Sequence, residues 1–304
     1  QAGVDIGSMV TQLFAPLMIV LLLIHAMVGY VELGTDSWIS KITGSIMASP
    51  QKGLLLFVYT SALMFALRFF AGPIVHRISP LGLLFISGVL GFVGLNLLGT
   101  ATSAMLCVVA ASVYALGKTF LWPTMLAVVS EQFPKGGAIT IGAIGGVGML
   151  SAGLLGGPGI GFKQDYNASH KLQSENVEVY ERYKAPKDST FMGFKVVGLD
   201  GAKVGVLSDN GKELARDGEL LKKEGKTDEN QAALATWWAD ASKTAEADKA
   251  LVTEANLHGG RTALKLTSFV PLTMAVFYLL LILYFKAKGG YKAVHVDGAA
   301  PSGH

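Results

Sequence analysis

His25, Gly29, Glu32 and Asp36 follow one another at intervals of four, three and four inside an otherwise hydrophobic run, MIVLLLIHAMVGYVELGTDSWISKI. On an α-helix that spacing sets all four on one face. Ionisable groups in a membrane helix are costly in hydrocarbon, so such a stripe points to a bundle interior or a watery cavity. A carboxyl there can take up and release a proton, which is the chemistry of ion coupling. Glu32 is the first candidate for that role and Asp36 the second. Gly29 leaves room beside the carboxylate, and Tyr30 and Trp38 can stack on a ring-shaped ligand. The plainer alternatives are interfacial carboxylates for Glu32 and Asp36, and a hydrogen-bonded structural histidine for His25.

A second stripe repeats the pattern. Tyr114, Lys118 and Trp122 are four apart. Lys118 lies too deep in its apolar run to reach water and needs a carboxylate, a carbonyl or a water molecule. Glu32 or Asp36 can serve as its partner. Pro123 follows at once and loosens the helix, freeing backbone groups beside a cavity. In RFFAGPIVHR, Arg68, Gly72 and His76 are again four apart, with Arg77 next. The bland reading of these basic groups is anchoring at the cytoplasmic interface. The run GGAITIGAIGGVGMLSAGLLGGPGIG spaces Gly142 and Gly146, and Gly153 and Gly157, four apart, which lets membrane helices pack backbone to backbone.

Other chemistries find no support. A net charge of +3 is small and points to no nucleic-acid partner. The single cysteine, Cys107, sits in an apolar run, so neither an internal disulfide nor a cysteine zinc cluster is available. No nucleotide loop, metal-ligand cluster or nucleophile–base pair stands out. The expectation is a protein that is not an enzyme, with no cofactor and no metal.

These residues must be positioned by membrane helices. A span needs about 20 mostly apolar residues. Six candidates lie near 11–33, 53–75, 81–99, 103–129, 138–160 and 264–285. This gives an all-α membrane protein in a lipid bilayer: five spans within 1–162, an insert at 163–262, a sixth span within 263–290 and a tail at 291–304. The first ten residues lack a basic region ahead of an apolar stretch and do not read as a signal peptide. Arg77, Lys135, Lys286, Lys288 and Lys292 fall on one side of a six-span arrangement. The positive-inside rule makes that side cytoplasmic, with both termini inside and the insert outside. Within the insert, FKVVGL and AKVGVL flank Asp200-Gly201 and predict a hairpin. A helix is expected from about Thr227 or Asp228, with Trp237 and Trp238 packed onto a small α+β cap.

The stretch RFFAGPIVHR resembles the R-x-x-x-G-x-x-x-D-R signature of the major facilitator superfamily. Arg68, Gly72 and Arg77 match it, whereas His76 stands where the family has aspartate. GYVELGTDSW, GKTFLWPTMLAVVSEQFPKGGA and IGAIGGVGMLSAGLLGG are similar to the seventh, tenth and eleventh helices of sugar porters related to the fucose:proton symporters, with Trp122-Pro123-Thr124 at an aromatic-Pro-Thr step. The resemblance covers roughly 10–160 and 260–290 and leaves out the insert. It implies the C-terminal six-helix half of a transporter in the bacterial cytoplasmic membrane. It also implies a small polar solute such as a sugar or nucleoside, a coupled proton, and an N-terminal six-helix half in the same or another chain. Glu32 and Asp36 would couple protons, and His25, Tyr30, Trp38, Tyr114, Lys118 and Trp122 would line the solute site. Arg68, Gly72, His76 and Arg77 would form the cytoplasmic gate. The alternative is a non-transporting structural or assembly subunit of a larger membrane complex.

Overall fold

The computed structural model describes residues 5–70, 72 and 77–295. His76 therefore lies outside the described residues. Among them, six helices are long and apolar enough to cross a membrane: Pro16–Ile46, Pro50–Arg68, Pro80–Thr100, Ala104–Gln132, Gly137–Glu175 and Ala245–Ala287. The chain divides into two compact units, one formed by 1–160 with 264–304 and the other by 161–263.

The first unit begins with a short helix, α1 (Ile6–Thr11), and a single 3-10 turn. The first long helix has three parts: α2 (Pro16–Gly29), a π-helical turn (Tyr30–Gly34) and α3 (Thr35–Ile46). The apolar run predicts a span ending near 33, but the helix continues to Ile46. Its polar residues find partners inside the protein and give it no reason to stop. Next come α4 (Pro50–Arg68), α5 (Pro80–Thr100), α6 (Ala104–Lys118) and α7 (Leu121–Gln132). The starts of α4, α5 and α6 are written in the sequence. Ser49, Ser79 and Ser103 each accept a backbone N–H of the first turn, and Pro50 and Pro80 supply fixed φ at the first helical position. α4 ends at Arg68, seven residues short of the expected span.

A second interrupted helix follows: α8 (Gly137–Ser151), a π turn (Ala152–Gly156) and α9 (Gly157–Glu175). The long α14 (Ala245–Ala287) includes the last apolar span. After it, residues 291–294 bind the end of α7. Val294 donates to the Glu131 carbonyl at 2.8 Å, and the Tyr291 hydroxyl donates to the Glu131 carboxylate at 2.7 Å.

Bundle packing rests on close backbone approach. A Cβ at Gly29 would lie 1.9 Å from the Gly148 carbonyl oxygen, and one at Gly34 would lie 2.6 Å from the Gly156 Cα. Only glycine permits either contact. The two π turns thus meet through Gly34 and Gly156. Around these seams Met18, Leu21, Ile24, Leu84, Leu98 and Met125 are fully buried. α4 behaves differently, with Leu54, Leu55, Val58 and Phe65 all exposed. An apolar exposed face is what a lipid-facing helix presents.

The expected glycine contacts need correction. Among the described residues, nothing beyond their own helix backbone lies within 4 Å of where a Cβ at Gly142, Gly146 or Gly153 would stand. A Cβ at Gly157 would meet only ordinary contacts, the nearest being the Ser37 hydroxyl at 3.6 Å, while the Gly157 backbone sits against Gly34 and accepts from Trp38. Within this chain the seam is carried by Gly148 and Gly156 instead. The repeat of glycines covers more than one face of the helix, and spacing alone does not say which face is packed.

The second unit adds α10 (Val177–Tyr183), a hairpin β1 (Ser189–Phe191) and β2 (Phe194–Val196), then α11 (Gly201–Asp209), α12 (Lys212–Lys223) and α13 (Glu229–Ala241). The hairpin turns at Met192-Gly193, where both residues have positive φ, and not at Asp200-Gly201. Asp200 caps a helix: its carboxylate accepts from Ala202 N at 2.9 Å and Lys203 N at 3.3 Å. The same residue type serves turns and helix starts, so AKVGVL becomes helical. The later helix starts at an Asp228 cap but breaks between Ala241 and Ala245. The core of this unit contains Leu172, Val179, Tyr183, Leu207 and Val252, with Trp237 and Trp238 packed on it. Burial, with Asp248 alongside, holds the Tyr183 phenol well above its ordinary range.

Candidate functional site

The site begins with a missing hydrogen. In an α-helix the carbonyl of Thr119 would accept from the N–H of residue 123. Residue 123 is proline and has none. The helix breaks at Thr119-Phe120, between α6 and α7. The Thr119 carbonyl instead accepts from Arg68 Nε at 3.4 Å. On the other side of the break, the Trp122 backbone N–H faces the Glu32 carboxylate. The carbonyl end of one helix thus meets a cation, and the N–H end of the next meets an anion. Each placement suits the local dipole.

Arg68 and Glu32 also bind each other, with Nη2 3.2 Å from Oε1. Glu32 is buried, whereas the Arg68 side chain is 47% exposed. One turn along, Asp36 pairs directly with Lys118, whose side chain is 3% exposed. Two cations and two carboxylates therefore stand together, formally neutral, within spanning helices. Tyr114 braces the group. Its hydroxyl donates to the Val31 carbonyl at 2.6 Å and lies 2.5 Å from the Thr35 hydroxyl. The Lys118 ammonium sits 5.3 Å from the Tyr114 ring centroid. The π turn at Tyr30–Gly34 carries Glu32, and Val31 within it accepts both hydroxyls. π turns are common where a helix must aim side chains at a site.

The predicted stripe does not survive intact. In one continuous α-helix, His25, Gly29, Glu32 and Asp36 share a face. The π turn shifts the phase between the two pairs. His25 meets the Trp122 ring edge-on at 4.6 Å, and a Cβ at Gly148 would lie 2.8 Å from its ring. Both His25 nitrogens are buried without a hydrogen-bond partner of good geometry. Oε2 of Glu32 is likewise buried without one. Tyr30 bonds Thr267 and lines a small apolar cleft with Met27, Ser151 and Phe269. Trp38 donates to the Gly157 carbonyl at 2.8 Å and has Lys41 over its ring.

Arg68, which the loop signature assigns to a cytoplasmic gate, reaches the buried Glu32. Gly72 and Arg77 are exposed and share no contact with this group among the described residues. Lys118 does pair with one of its two proposed partners. Sequence reasoning missed Thr35 and the Thr119 carbonyl. Thr35 gave no signal of its own. Thr119 could have been found by counting four residues back from Pro123. Among the described residues no cluster of three or more His, Cys, Asp or Glu could hold a metal, and Cys107 is buried.

Fold and site together define a multi-pass helical membrane protein with paired charges set at a helix break. No family model, curated protein or solved structure matches the chain.

Proposed function

We propose that this chain is the C-terminal six-helix half of a major-facilitator-type secondary transporter that moves a small polar solute, such as a sugar or nucleoside, together with protons. The observation that carries the reading is the neutral group Glu32–Arg68 and Asp36–Lys118 around the break at Pro123. Buried ion pairs are poor stabilisers, and their retention in a spanning bundle favours a working role. Protonation of Glu32 removes its charge and releases Arg68, whose guanidinium then offers donors to solute hydroxyls. Deprotonation draws Arg68 back and expels the solute. Asp36 and Lys118 hold the neighbouring turn in place, with Tyr114 as the brace.

The open glycine face of α8 and of the π turn after it supports the need for a second six-helix half, since among the described residues nothing packs against a Cβ position at Gly142, Gly146 or Gly153. In this reading both termini are cytoplasmic, residues 163–262 lie outside, and the membrane is the bacterial inner one.

The test is Glu32→Gln in the complete transporter, reconstituted into proteoliposomes. The amide keeps the shape but does not titrate. Solute exchange should persist while uphill accumulation under a pH gradient is lost. Wild-type accumulation by the variant removes Glu32 from the coupling role. A wild-type protein that moves no solute under any gradient leaves the assembly-subunit reading in its place.

A further inference from the structure

Residues 161–263 contain a cleft that the transport reading does not use. Its volume is about 1000 Å³, and it lies among α11, α12 and α13. The floor is apolar, made by Val206, Leu214, Leu221, Leu234 and Trp237. The exposed Leu220 stands at its edge. The rim is acidic: Asp200, Asp209, Glu213, Asp217, Glu224 and Asp228 line it, with Lys203 the one basic residue among the lining. That lysine is already engaged, donating to the Arg182 and Lys184 carbonyls at 3.2 Å each. On α12 and its C-cap, Glu213, Asp217 and Glu224 line the cleft, whereas Lys212, Arg216, Lys222 and Lys223 do not, and of the carboxylates only Glu219 stays outside it.

We propose that this cleft is the docking site of a basic, amphipathic helical segment of a partner protein. Charge complementarity sets the sign of the occupant, and the leucine and tryptophan floor sets its apolar face. The dimensions set its kind. Glu213 and Glu224 are eleven residues apart on one helix, or about 16 Å at helical rise. A stripe of carboxylates at intervals of four and seven matches lysines or arginines at the same intervals on a second helix. A small organic cation would cover only one end of it, and an anionic lipid surface would be repelled.

Asp200, Asp209 and Asp228 are committed to backbone N–H groups at helix starts, so they supply charge without moving. Glu213 and Asp217 share Arg216 at 3.1 and 3.4 Å, and Glu224 holds Lys226 at 2.8 Å. These pairs are exposed, and exposed pairs are weak enough to exchange for a partner's cations. This is helix-in-groove recognition with an electrostatic rim.

The test uses the full chain in nanodiscs and a fluorescent Leu/Lys peptide of about four helical turns, with its lysines on one face. Anisotropy should report saturable binding at low salt that weakens at high salt. The pair Asp217→Lys with Glu224→Lys should weaken binding about tenfold or more, because each change turns an attraction into a repulsion. Glu219→Lys, on the same helix but outside the cleft, should leave binding unchanged and controls for a charge reversal on this helix away from the cleft. Equal binding by the paired variant, or equal binding of a scrambled peptide with dispersed lysines, overturns the proposal. Full displacement by a short aliphatic diamine overturns it in favour of a small-cation site.

Discussion

The Lys118–Asp36 pair permits a quantitative prediction. Asp36→Asn removes one charge and leaves Lys118 with a side chain only 3% exposed. Breaking a buried pair from one side costs about 3–5 kcal/mol, because the remaining charge is left uncompensated. Asp36 is 24% exposed, so water can partly replace it, and the expected cost is about 2–4 kcal/mol. At about 2–4 °C per kcal/mol, the figure for chains of about 150–250 residues, the melting temperature should fall by at most roughly 4–16 °C. Removing both charges should cost much less. Asp36→Asn with Lys118→Met should recover most of the loss, giving a coupling of about 1.5–3 kcal/mol in the double-mutant cycle. The assay is thermal unfolding in detergent with an intrinsic fluorescence readout. The reasoning is refuted if the single variant melts with the wild type, or if the double variant is no more stable than Asp36→Asn.

Three further outcomes follow from the same geometry. Pro123→Ala restores an N–H to the Thr119 carbonyl and should displace Arg68 Nε; solute uptake should drop several-fold while helicity by circular dichroism holds or rises. Gly148→Leu should prevent stable insertion or lower the melting temperature sharply, because even a Cβ there meets the Trp122 and His25 rings at 2.7 and 2.8 Å; Gly146→Leu should leave the stability of this chain unchanged and abolish transport, and unchanged transport would mean that the face meets lipid. A cysteine placed at Lys212 should react with an impermeant thiol reagent in intact cells, and labelling only after permeabilisation reverses the proposed orientation.

Much of the scaffold was legible because membrane helices advertise themselves. Length and hydropathy located the bundle. The site was legible only in part. Intramembrane charges are rare enough that Glu32, Asp36 and Lys118 could be picked out one by one, whereas Arg68 read as a residue of the cytoplasmic interface or gate. Lys118 could be matched to Glu32 or Asp36 but not to one of the two, and Arg68 to neither, because a π turn leaves no mark in spacing and rotates half of the stripe. In the insert, Asp200-Gly201 could begin a helix or a turn, and only the free N–H groups of Ala202 and Lys203 decided it. The glycine run held more glycines than contacts, so it showed that a helix could approach closely without showing where.

The paired π turns carry an implication for how this chain tolerates change in length. Each amounts to one residue more than a regular α-helix of the same span would need. Deleting one residue from Tyr30–Gly34 would straighten the helix but turn everything beyond it by about 100°. Asp36 would leave Lys118, and Gly34 would leave Gly156. A matching deletion in Ala152–Gly156 would realign the glycine seam alone, and the ion pairs would stay broken. Single-residue deletions in these two helices are therefore not interchangeable. The helix that carries the carboxylates sets the phase, and the glycine helix can only follow it.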